Sequence, residues 1–129
     1  VEGICLCGIT ATPTQPEIHK TALGAEDSVM WTYYKDTCEA IRHLQQSGYI
    51  VLAIEQCEGS TLLQEITLDS DKKYAVVLGN EVKGVKQEVV DMCDGCIEIP
   101  QFGTKHSLNV SVTAGIIIWE FACKLKKLF

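Results

Sequence analysis

Two short stretches concentrate the residues of this chain that could do chemistry. In IPQFGTKHSLNVSVTAGIIIWE, Ile99 to Glu120, Ser107 and Asn109 stand where a loop turns into a helix. A hydroxyl and a carboxamide at that place suit helix capping, because each can accept a bond from an early helical N–H. Set beside the exposed N–H groups of a helix start, they also form a cluster of donors and acceptors able to hold a polar substrate group. In LGNEVKGV, Leu78 to Val85, Glu81 puts a carboxylate in a loop that leaves a strand. There it can accept bonds from a ligand or orient a neighbouring stretch of chain.

Other motif readings are weaker. LGNEVKGV has the Gly-x4-Gly spacing of a phosphate-binding loop, but that motif needs Lys and Ser/Thr directly after the second glycine, and Val85 and Lys86 stand there. The Gly-x-Gly-x-x-Gly dinucleotide fingerprint is absent as well. His106 reads as a surface residue. Cys93 and Cys96 in DMCDGC have CxxC spacing, yet a zinc site needs four ligands and the sequence has no second such pair and no paired histidines. The expectation is buried thiols, and the same holds for Cys5 and Cys7, which point to one face of a strand.

The elements that must position these groups follow from periodicity. VEGICLCGIT reads as a short buried strand ending at Gly8, followed by a loop with two prolines and one or two helical turns. MWTYY is β-prone. KDTCEAIRHLQQSG places Cys38, Ile41 and Leu44 at helical spacing between an acidic start at Asp36 and a stop at Gly48. YIVLAIE and KYAVVLGN are apolar without alternation, the pattern of strands covered on both faces. GSTLLQEITLDSDK is ambiguous. KQEVVDMC reads as a short helix, GCIEIP as a short strand, and the chain from Ser107 to near its end as a helix with Lys124, Lys126 and Lys127 at its negative end. Buried strands alternating with helices predict an α/β fold with a parallel sheet and helices on both faces. Ligands of such sheets bind beyond the carboxyl ends of the strands, here the loops after Glu55, Leu78 and Pro100.

Composition bounds the rest. A chain of 129 residues fits one domain, and this size buries roughly 65–70% of its unfolded surface. A net charge of −6 argues against a generally basic protein that coats nucleic acid, while leaving room for a local basic patch. Seven cysteines, an odd number outside any small secreted framework, suggest reduced thiols and a cytoplasmic setting. The longest apolar run, around AGIIIW, stops at Glu120, far too short to cross a bilayer, so no membrane partner is expected.

LGNEVKGV, followed about fifteen residues later by IPQFGTKHSLNVSVTAGIIIWE, closely resembles the second and third motifs of the SpoU-type RNA methyltransferases of the SPOUT superfamily. The order Ile-Pro, Gly, Ser-Leu-Asn-Val-Ser-Val, then an apolar helix closing on an aromatic and Glu, is long and hard to meet by chance. The resemblance implies a parallel α/β sheet whose C-terminal part is threaded into a deep trefoil knot, with S-adenosyl-L-methionine held in the knot largely by backbone groups. It implies a homodimer that methylates the ribose 2′-hydroxyl of a tRNA or rRNA nucleotide. Carried over by motif, Leu78, Gly79, Ile99 and Leu108 line the cofactor pocket, with Ile54 added from its place at the end of YIVLAIE. Glu81, Ser107 and Asn109 match the family's active-site acid, serine and asparagine.

The family's first motif, with its asparagine and arginine, has no match here. The one arginine, Arg42, lies in the amphipathic CEAIRHLQQ stretch. The expectation is therefore residues 1–129 as a single domain that lacks its first strand and helix, with weak transfer if these residues act alone. Lys83, Lys86 and Lys105 lie in or beside the motif loops and offer RNA a local positive face. Two competing readings are a non-catalytic RNA- or cofactor-binding module derived from such an enzyme, and a generic α/β nucleotide-binding enzyme.

Overall fold

A computed structural model describes residues 3–7, 30–79, 84–100 and 110–126. They belong to two compact units, residues 1–43 and 44–129.

In the first unit, β1 (Gly3–Cys7) and β2 (Met30–Tyr34) pair in parallel, from Gly3 opposite Met30 to Cys7 opposite Tyr34. The proline-containing loop expected between them lies outside the described residues. Ile4 and Cys5 are exposed and Cys7 is half-buried, which corrects the reading of VEGICLCGIT as a buried strand with two core thiols. Apolar composition set the strand, but this two-stranded sheet leaves those side chains uncovered. Helix α1 (Thr37–Gln46) starts where expected, and its last residues, from Leu44 on, belong to the second unit. Asp36 caps it, its Oδ1 accepting from the Cys38 N–H at 3.0 Å. It ends at Gly48, whose φ of 92° is a left-handed conformation that glycine adopts without strain.

The second unit holds a four-stranded sheet in the order β4-β6-β3-β5, with every pairing parallel. Its strands are β3 (Tyr49–Ile54), β4 (Thr61–Leu62), β5 (Lys73–Val77) and β6 (Gly95–Glu98). The ambiguous GSTLLQEITLDSDK stretch becomes the two-residue β4 and a 3-10 turn over Leu63–Glu65. β3 lies inside the sheet, and its Val51 and Ala53 are fully buried. β5 ends the sheet among the described residues, so its side chains are only half-buried beyond exposed Lys73, less than its apolar run suggests.

Pleat alternation divides the sheet into two faces. Leu52, Ile54, Tyr74, Val76 and Ile97 meet helix α3 (Val110–Lys126) through Ile117 and Phe121, with Leu63 and Ile66 closing the cluster. Tyr74 and Phe121 stack edge to face at 6.1 Å. Burying side chains such as Ile117 and Phe121 contributes about 1.5–3 kcal/mol each. The Lys124 ammonium ties the helix down by donating to the Ile66 carbonyl at 2.9 Å. Helix α2 (Gln87–Met92) flanks the other face, where Cys96 alternates with Ile97. Gln87, Val90 and Asp91 of α2 share with Cys57, Gly95 and Cys96 a groove of about 420 Å³. Helices thus cover both faces of a parallel sheet.

Candidate cofactor pocket at the strand ends

In-register parallel strands bring their carboxyl ends to one edge of the sheet. The β3–β5 ladder closes at Ala53 opposite Val77, and β3 meets β6 with Ile54 opposite Ile97. Ile54, Leu78 and Ile99 therefore sit at the ends of three neighbouring strands, the place where an α/β sheet receives ligands. The side chains of Ile54 and Ile99 pack inward on the core cluster. What they leave at the rim is backbone, and Leu78 and Gly79 extend that rim past the last ladder pair.

Gly79 owes its identity to the chain that passes it. A Cβ built there would collide with the carbonyl carbon and oxygen of Gly84 and with the Val85 nitrogen. The loop thus folds back until its two ends touch, an approach open only to glycine. Gly84 adopts φ 66°, and a side chain on it would strike the carboxylate of Glu55.

Glu55, the residue after β3, is the polar centre of this arrangement. Its N–H donates to the Ile97 carbonyl at 3.1 Å, which carries the β3–β6 pairing one residue further. Its Oε2 accepts from the Val85 N–H at 3.0 Å and its Oε1 from the Gln56 N–H at 3.2 Å. One carboxylate thereby joins the ends of β3 and β6 to the loop after β5. Sequence reasoning did not single out Glu55. Its signal was a carboxylate directly after an apolar strand, and its partner lies 30 positions away.

Of the residues expected at the site, the structure brings together Ile54, Leu78, Gly79 and Ile99. Glu81, Ser107, Leu108 and Asn109 lie outside the described residues, as do Lys83, Lys105 and His106. Cys93 and Cys96 are half-buried rather than fully enclosed. Among the described residues no group of three His, Cys, Asp or Glu side chains could hold a metal ion. At these strand ends the glycine at which the two ends of the loop after β5 touch lets a ligand approach the backbone closely, which fits an adenosyl group.

The SpoU rRNA Methylase family matches residues 1–119. The tRNA (guanosine(18)-2′-O)-methyltransferase of Thermus thermophilus is 35% identical over 112 residues, 87% of this chain and 57% of that protein. The 23S rRNA (guanosine-2′-O-)-methyltransferase RlmB of Coxiella burnetii is 34% identical over 110 residues, 85% of this chain and 43% of that protein. The chain thus spans about half the length of the curated relatives it matches. The AdoMet-bound rRNA methyltransferase of Sinorhizobium meliloti superposes with a TM-score of 0.82 at 28% identity, over 95% of this chain and 46% of that one. With its parallel α/β sheet, its folded-back glycine loop and this match over most of its length, the chain belongs to the SpoU rRNA methylase family of the SPOUT superfamily, whose knotted fold comes to it by homology.

Proposed function

We propose that the protein transfers a methyl group from S-adenosyl-L-methionine to the ribose 2′-hydroxyl of a tRNA or rRNA nucleotide. The observation that carries this reading is the crossing of Gly79 against Gly84 and Val85 at the ends of three parallel strands. Bound there, the cofactor supplies an electrophilic methyl on a sulfonium. The chain must hold the adenosyl group, aim the ribose oxygen in line with that methyl, and take up the hydroxyl proton. Ile54, Leu78, Gly79, Ile99 and Leu108 bind, mainly through backbone, which constrains side-chain identity little. Ser107 and Asn109 orient the substrate or the group that receives its proton, and Glu81 anchors that network by charge.

RNA approaches across the motif loops, where Lys83, Lys86 and Lys105 supply positive charge against an overall net charge of −6. We place the second copy of a homodimer on α3. Val112, Ile116 and Trp119 recur there at helical spacing, and Trp119 is 61% exposed. The protein works in the cytoplasm, and no described helix is long and apolar enough to cross a membrane.

A non-catalytic module that keeps cofactor or RNA is the second reading. One experiment separates the two. The full-length protein is incubated with radiolabelled S-adenosyl-L-methionine and total cellular RNA, and the label is mapped by nuclease digestion. Label on a ribose 2′-oxygen, lost in Gly79→Ala, supports transfer. Cofactor binding with no ribose methylation of any cellular RNA sinks transfer and leaves the binding module.

A further inference from the structure

The bonds around Glu55 do more than cap a strand. Its carboxylate has both oxygens engaged by backbone N–H donors, Val85 at 3.0 Å and Gln56 at 3.2 Å. Its own N–H is committed to β6. Gly84, in its left-handed conformation, leaves no side chain between the carboxylate and the loop. The loop after β5 therefore returns to the sheet beside the carboxylate that follows β3, and there Gly84 and Val85 lie against Gly79. Hydrogen bonds to a charged group are shorter and stronger than neutral ones. Among the described residues, no other side chain on the C-terminal rim reaches across to this loop by a hydrogen bond.

We propose that Glu55 is a positioning residue for the cofactor. It latches Gly84 and Val85 against Gly79 so that the backbone of Leu78 and Gly79 faces the adenosyl group. This rests on the methyltransferase reading above. This role requires no contact of Glu55 with the cofactor or the reacting atoms. It acts through the approach of Gly84 and Val85 to Gly79, so its removal weakens cofactor binding through that backbone. A glutamine keeps one acceptor oxygen but turns an NH2 toward a second N–H donor, so it satisfies half of the latch. Alanine satisfies none.

The test uses the full-length protein with S-adenosylhomocysteine as the probe. Binding is measured by calorimetry, and exchange of the Val85 amide is followed in the ligand-free state. Glu55→Ala is expected to bind about tenfold more weakly, equivalent to about 1.4 kcal/mol. Glu55→Gln falls between it and wild type, and the Val85 amide loses protection in the same order. A purely structural role would lower the thermal midpoint without this graded loss of affinity in folded protein, and Glu55→Gln carries the test where Glu55→Ala does not fold. Unchanged Val85 exchange in the variants overturns the latch whatever the ligand does. Faster exchange with wild-type affinity overturns the link to the cofactor. A wild-type protein that binds no S-adenosylhomocysteine overturns the methyltransferase reading itself, and the Val85 amide still reports separately on the latch.

Discussion

Cys96 shows how one residue acquires its chemistry from its neighbours. Alternation along β6 turns it away from the Ile97 side of the sheet and into the groove beside α2. Burial, then the hydrogen bond and charge of Cys57, with smaller contributions from Cys93 and Glu55, push its thiol up to about 12. A thiol held protonated is a poor nucleophile. Cys96 is therefore expected to resist iodoacetamide at neutral pH in the folded protein, as read by peptide mass spectrometry, and to label fully once the chain is unfolded. The linkage has a definite sign. The unfolded thiol ionises near its ordinary value of 9.0, while the folded one stays protonated to about 12. Its contribution to stability is present in full below pH 9 and is lost as pH rises towards 12. Denaturant titrations should find Cys96→Ala less sensitive than wild type to that alkaline range. The CxxC spacing marked this thiol out, but Cys57, 39 positions earlier, became its neighbour only in the fold.

At the scale of elements, the strands and helices rest on a few joints between distant parts of the chain. Asp94 is one of them. Its N–H donates to the Val51 carbonyl at 2.7 Å, and its Oδ2 accepts from the Val51 N–H at 2.8 Å. Gln45 reaches the same region, its Nε2 donating to the Met92 carbonyl at 2.8 Å. Within the second unit, the residues of α1 from Leu44 on, the end of α2 and the start of β3 meet there. Val51 is fully buried, so Asp94→Ala leaves its N–H without an acceptor. The expected cost is about 1–3 kcal/mol, seen as a lower midpoint in urea with an unchanged slope. The extents of these elements were legible. Asp36 and Gly48 marked the ends of α1, and β3, β5 and β6 lie inside the apolar runs that announced them. The burial of β1 was misread because apolar residues report what a strand can bury, while the neighbouring chain decides what is covered.

At the scale of the whole molecule, α3 carries apolar residues on two of its sides. Ile117, at 1% exposed, and Phe121 hold it to the sheet, while Val112, Ile116 and Trp119 face outward. A helix apolar on more than one side is expected to be covered on both. If a second copy provides that cover, Trp119→Asp shifts sedimentation from dimer towards monomer while circular dichroism keeps its native shape. Persistence of the dimer in that variant would move the interface elsewhere.

The chain's own order of residues determined its class: apolar runs of strand length alternating with helices, capping groups at α1, and two long motifs specific enough to name a family. These are local properties, because periodicity, capping and motif spacing act over a few neighbouring residues. Tertiary structure alone decided that Glu55 would meet Val85, that Gly79 would lie against Gly84, and that Cys57 would stand beside Cys96. Such contacts join separate segments or fold a loop onto itself, and they follow from strand order and register. A parallel sheet sets these through crossovers whose path no short stretch of residues encodes.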